Sequence, residues 1–251
     1  MFLLKVFLIL LVLNLAAIAT QYYLRTYTHS PATFHYRMFV FDGENNVPAV
    51  FSTINLLISA FLLFSISKQV KNSAEPLYYK KWYLLGCMFV WLAMDELFAL
   101  HENLIKPVRM LLKYLLQQDN LGFLYFAWVV PYIVGVVLLG LYLFKFVFSL
   151  PKRTLFNFIV SGTIFIAGAI GMEMVGGHFA ENKGDQFSLV YELCTTFEET
   201  LEMLGIIFFI NSLITHIEEE KSLSKVVVNI MVGSESKKSI PAVLQEEMIY
   251  S

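Results

Sequence analysis

The chain has 251 residues, a formal net charge of −2 and a composition that is 57% hydrophobic, 16% aromatic and only 15% charged, with a mean hydropathy of +0.64. Soluble domains carry about 25% charged residues, so this composition points to a lipid bilayer and excludes disordered, collagen-like and disulfide-framework classes. With no positive field and no basic patch interleaved with aromatics, nucleic acid is excluded as a partner and membrane lipids remain.

About 20 apolar residues cross a hydrocarbon core of roughly 30 Å, and six stretches meet or approach that length: 3–20, 49–67, 83–103, 123–147, 155–175 and 188–214. They predict an all-α integral membrane bundle of about six transmembrane helices within residues 1–215. Residues 1–20 form an anchor or a signal-like helix, since Lys5, the apolar run after it and Ala17-Ile18-Ala19 also fit a secretory signal with a cleavage site. Residues 21–48 form an outer loop, in which Asp42-Gly43 and Asn45-Asn46 favour a turn and Pro48 suits the first turn of the next helix. The alternative is that Glu44 or Asn46 dips toward the acids described below.

Tyr78, Tyr79 and Trp82 read as an interface anchor, and Trp91 as a wall beside Asp95. In 104–122, Val108, Leu111, Leu112, Leu115 and Leu116 alternate with Arg109 and Lys113 at helical spacing, as in an interfacial amphipathic segment. Pro131 should kink the fourth span; Ala167, Gly168 and Gly171 give the fifth a small face for close packing. Gly176-Gly177 mark the expected end of the fifth helix. Residues 216–251, with Glu218-Glu219-Glu220 and Lys237-Lys238, read as a solvated cytoplasmic tail.

Orientation follows from lysine and arginine in the short loops. A cytoplasmic N-terminus puts twelve of them inside, among them Lys68, Lys80, Lys152 and Arg153, and leaves Arg25, Arg37, Lys106, Arg109, Lys113 and Lys183 outside. Both termini are therefore expected in the cytoplasm of an inner, or plasma, membrane.

Few charges enter the spans, and those that do are acids: Asp95, Glu96, Glu102, Glu173, Glu192, Glu198, Glu199 and Glu202. An ionisable group at the bilayer centre costs on the order of 3 kcal/mol even on lenient scales, which makes each a candidate for function. The topology brings all of them to one depth, in the half of the bundle facing the periplasm. At 100° per residue, Asp95 and Glu102 share one face of span three, while Glu192, Thr195, Glu199 and Glu202 share an arc of span six. Antiparallel packing would set Asp95 opposite Glu199 and Glu102 opposite Glu192, with Glu96 and Glu198 off these stripes.

So much negative charge in a low dielectric calls for protonation or for bound cations. Asp95, Glu102, Glu199 and Glu202 with His101 and His178, and with Glu173 or Glu192 as ligand or proton relay, form a donor inventory suited to one or two divalent transition metals, Fe, Mn or Zn. Glu44, Glu96, Glu181 and Glu198 are weaker candidates. The inventory matches that of four-helix di-iron proteins, but their Glu-x-x-His motif is not found. The bland alternative is a set of protonated packing acids.

The segment Phe41-Asp42-Gly43-Glu44-Asn45-Asn46-Val47-Pro48 leading to Phe51-Ser52, the pairs Asp95-Glu96 and His101-Glu102, and Glu198-Glu199 with Glu202-Met203-Leu204-Gly205 carry a resemblance. Over most of residues 40–215 the chain resembles an uncharacterised family of bacterial multi-pass membrane proteins with a DGE-x-N-x-P loop and a DE-x4-HE transmembrane helix. The resemblance implies the fold and marks these residues. It does not extend to glutamate-type intramembrane CAAX proteases, which have arginine where Met203 stands here.

Three functions are compatible with this sequence. The first is a metal site acting on a lipid or quinone-like substrate, and the second is a cation or proton transporter using the same acids. The third is an accessory subunit of a membrane complex. The apolar run Leu204 to Phe209, with no ionisable group until His216, weighs against a through-going ion path.

Overall fold

Every regular element is helical among the residues that the computed structural model describes, which are 2–28, 37–43, 45–73, 76–183 and 189–238, with side chains described for all but 182, 183 and 221–238. Helix α1 (Phe2–Tyr23) passes into a π-helical turn, Leu24–Thr28. Then come α2 (Val47–Lys71), α3 (Tyr79–Phe98), α4 (Glu102–Leu116), a 3₁₀ turn (Gly122–Leu124) and α5 (Val129–Phe148). Helix α6 (Lys152–Ile166) runs through a second π-helical turn (Ala167–Met172) into α7 (Glu173–Lys183), and α8 (Leu189–Lys238) is last.

Five helical stretches are long and apolar enough to cross a membrane, and the number rises to six if α3 and α4, bent by 90° at their junction, count as one span. Contacts within the chain divide it into residues 1–213, which hold everything described below, and 214–251.

Helix α2 shows why these segments pack. Its buried positions Asn55, Leu56, Ser59, Ala60, Leu63, Ile66 and Ser67 recur at three and four residues, the spacing that keeps one face of a helix against its neighbours. Asn46 caps the helix, its side chain accepting from the Ala49 N–H at 3.0 Å while donating to the Val40 carbonyl at 2.6 Å. The expected turn before Pro48 is thus in place, and Asn46 is committed to the cap. Against α2 lies α3, with Gly86 under the Phe64 ring, where a Cβ would stand 2.5 Å from a ring carbon.

Two apolar clusters hold the bundle. In one, Phe7 and Leu10 of α1 meet Phe41, Met203 and Ile207; in the other, Leu56, Ala93, Ile206 and Ile210 join α2, α3 and α8. Helix α1 is also clamped by Asn14, which is fully buried. Its amide donates to the Thr196 hydroxyl at 3.0 Å and its carbonyl accepts from the Phe41 N–H at 2.9 Å.

Several local expectations change. Trp82 is buried against Phe146 and Phe158 and is a core residue, not an interface anchor. Pro131 lies in the first turn of α5, where no helical donor is missed, because residues 122–128 form a 3₁₀ turn and loop ahead of that helix. Gly176 and Gly177 do not end a helix; α7 runs through both, and the lack of a side chain at Gly177 admits the Phe126 ring. In the fifth span Gly168 makes the close contact, whereas Gly171 faces open space.

Replacing Asn14 by Ala should destabilise the protein by about 2–3 kcal/mol, because the Phe41 N–H and the Thr196 hydroxyl both lose their buried partner. Reversible unfolding in detergent, compared with an exposed control such as Thr20→Ala, measures it.

Candidate functional site

The break between α3 and α4 organises this end of the bundle. Helix α3 stops at Phe98, and Ala99 takes a left-handed conformation (φ +45°) that is uncommon for a residue with a Cβ. Asp95, buried one turn before the break, holds the corner. Its carboxylate accepts from the His101 backbone N–H at 2.7 Å and from the Tyr132 hydroxyl at 2.9 Å, with the His101 Nδ1 at 3.3 Å. The His101 ring tilts over Trp128 with centroids 4.7 Å apart, and the Trp128 indole N–H donates to Glu173 at 2.7 Å.

This corner revises the expected pairing. A 90° bend removes the common phase of Asp95 and Glu102, so Glu102 becomes the exposed first residue of α4. Asp95 is engaged by His101 and Tyr132. Glu192, buried on α8, has the Arg25 guanidinium 3.8 Å away, in place of a facing Glu102. The sequence reading did not single out Arg25 as a partner, because it placed that residue in an outer loop.

Glu96 and Glu198, expected off the stripes, belong to the inner group. The charge acting most strongly on both Glu199 and Glu202 is Glu96, with Glu202 and Glu173 next in turn. Glu198 and Glu173 hydrogen-bond through their carboxyls. The other oxygen of Glu198, Oε2, is buried and has no partner among the described residues. Five acids from α3, α7 and α8 thus influence one another within the bundle.

The π-helical turn Ala167–Met172 allows this crowding. A Cβ on Gly168 would stand 2.7 Å from the Glu198 carbonyl and 3.0 Å from the Glu202 Cγ, so only glycine lets the turn lie against the acidic stretch of α8. One turn further along, Gly205 gives the Phe165 backbone the same close approach. Single π-turns inside α-helices are frequently found at functional sites.

Beneath the acids lies a small cavity lined by Ser52, Asn55, Leu56, Glu96, Phe165, Glu202, Met203 and Ile206. About 10 Å³ of it is open to the centre of a water molecule, roughly the space of one water. Asn55 has no exposed surface, yet neither its Oδ1 nor its Nδ2 finds a partner among the described residues, and the buried Ser52 hydroxyl is in the same position. Leaving such a group unsatisfied costs about 1–3 kcal/mol. The sequence reading missed Asn55 and held Ser52 only as part of the family resemblance. A signal was present: Ser52, Asn55 and Ser59 fall within about 60° of one another on an apolar helix.

The remaining candidates sit apart or play other parts. His178 stacks on Phe123 with ring centroids 4.6 Å apart. The Glu181 carboxylate accepts the Leu121 and Gly122 N–H groups, capping the 3₁₀ turn. Trp91 is about half exposed. Glu44 lies outside the described residues. Among the described residues, no three His, Cys, Asp or Glu side chains stand together closely enough to hold a metal ion.

Asp42, read from the sequence as part of a turn and of the resemblance but not as one of the clustered acids, lies within electrostatic reach of them from the loop ahead of α2. Part of the residue still meets solvent, but the surrounding protein, and then the charges of Glu173, Glu192 and Glu102, push its carboxyl up to about 7 against the opposing hydrogen bond with Tyr191. The folded state therefore keeps this proton to higher pH than the unfolded chain does. Stability should fall as pH rises from about 4 to about 7 and level off above that range. Asp42→Asn should flatten that slope, as thermal unfolding across this pH range will show.

No curated protein and no solved structure matches the chain. One family model does, over residues 3–217, and the chain therefore belongs to the family described as a domain of unknown function, DUF8692.

Proposed function

We propose that this is an integral membrane protein of the bacterial inner membrane that binds a divalent metal among the acids of its bundle. Both termini lie in the cytoplasm and the acidic end faces the periplasm, as the lysine and arginine distribution implies. The observation that carries the reading is the convergence of Glu96, Glu173, Glu198, Glu199 and Glu202 from three helices, where the strongest charges on Glu199 and Glu202 are other carboxylates. Burying several acids against one another is unfavourable unless a proton or a cation is shared among them.

The donors favour a hard ion. His101 is engaged with Asp95 and tilted over Trp128, His178 is stacked on Phe123, and the charges acting most strongly on Glu199 and Glu202 are those of carboxylates. Of Fe, Mn and Zn, manganese suits carboxylate and carbonyl oxygen best. The apolar layer of Leu56, Ala93, Ile206 and Ile210 beside Glu202 supports a closed site over a through-going ion path. A metal here would act as Lewis acid or redox centre toward a substrate arriving from the membrane, of lipid or quinone-like class.

Elemental analysis of detergent-purified protein tests the proposal. About one divalent ion per chain is expected, lost by at least about tenfold in occupancy in the double variant Glu199→Gln/Glu202→Gln. Metal-free wild-type protein after manganese loading would sink it.

A further inference from the structure

We propose that the cavity lined by Ser52, Asn55, Glu96 and Glu202 is the seat of the cation, an all-oxygen site for a single hard divalent ion. The inference rests on the metal-binding reading above and locates the ion with two residues, Ser52 and Asn55, that carry no charge.

Three independent features meet there. The first is chemical: the lining supplies a hydroxyl, an amide carbonyl and two carboxylates, all oxygen donors of the kind that hard cations take. The second is the unmet demand of Asn55, fully buried with both amide atoms unpartnered, beside the equally unpartnered Ser52 hydroxyl. Buried polar atoms in native structures nearly always have partners, and a ligand in the cavity satisfies the carbonyl and hydroxyl oxygens at once. The third is size, since a space for about one water admits one ion without its hydration shell.

Charge fixes the valence. On giving up their protons to a bound ion, Glu96 and Glu202 would contribute two negative charges, which one divalent ion neutralises and a monovalent ion does not. The ion would replace the mutual repulsion of these two acids by attraction to a common centre. Since no three acid, histidine or cysteine side chains group together among the described residues, the proposed ion draws on neutral oxygens as well, and Asn55 and Ser52 are the neutral polar side chains that line the cavity with Glu96 and Glu202.

Manganese alone, added to the full-length protein in detergent, is the probe. Equilibrium binding and pulsed electron paramagnetic resonance should show one tight Mn²⁺ per chain without the nitrogen modulation that a coordinating imidazole produces. Asn55→Leu, close in size but without the carbonyl, should weaken binding by at least about tenfold. Asn55→Asp, which keeps an oxygen at that point, should retain it, and this rescue separates ligation from a folding defect. Ser52→Ala should give a smaller loss in the same direction.

If Asn55→Leu is folded and binds manganese like wild type while Glu173→Gln or Glu198→Gln abolishes binding, the seat is elsewhere and the metal reading stands. An imidazole nitrogen signal, or equal loss of binding in folded Asn55→Leu and Asn55→Asp, likewise overturns the seat. If wild-type protein binds no divalent ion at all, both the seat and the reading fall.

Discussion

Carboxylates inside an apolar bundle must share something positive, and the arrangement of this chain follows from that requirement. Glu198, Glu199 and Glu202 lie on a helix that Met203, Ile206, Ile207 and Ile210 pack into the core. They cannot turn toward water without dragging that core with them. The structure answers differently for each acid. Asp95 receives three polar groups, Glu173 receives an indole N–H, Glu192 lies near a guanidinium, and Glu181 takes two backbone N–H groups. On Glu199 and Glu202 the strongest charge is that of Glu96, followed by those of other acids. Acids held by donors thus stand beside acids whose strongest neighbours are other carboxylates, and Glu173 belongs to both groups.

Neutral polar residues mark the same distinction. Asn14 and Asn46 are buried asparagines whose amides are used in full view of their neighbours, one clamping α1 to α8 and to the segment before α2, the other capping α2. Asn55 is buried as deeply and has no such partner among the described residues. Three chemically identical side chains thus divide into two that explain the fold and one that the fold does not explain.

How much of this was legible in the sequence depends on the physical scale of the signal. Hydrophobic runs of about 20 residues declare helices long enough to cross a membrane, and five or six such stretches are present. The amphipathic pattern of 104–122 declared a separate helix, and α4 occupies Glu102–Leu116. Phase arguments failed where a helix stopped being regular. The left-handed Ala99 destroys the register between Asp95 and Glu102, and nothing in the residue type announces it, since alanine is a strong helix former. The π-turn at Ala167–Met172 shifts register in the same way. The glycine pair at 176–177 was misleading for a related reason: Gly177 serves close packing inside a helix, where the general expectation is termination. Residues such as Asp42 and Arg25 meet partners distant in the chain, which single-sequence periodicity could not find.

The corner at residues 99–101 ties two properties that are usually separable. Helix α4 is held down at its far side by Arg109, whose guanidinium donates to the Tyr125 carbonyl and stacks over that ring, and at its near side by the amide of His101 on Asp95. Peeling α4 from the bundle therefore strips a donor from a buried carboxylate in the same motion. Exposure of this end and the charge state of Asp95 form one mechanical degree of freedom, so uncovering the acids from this side carries an electrostatic penalty as well as a hydrophobic one.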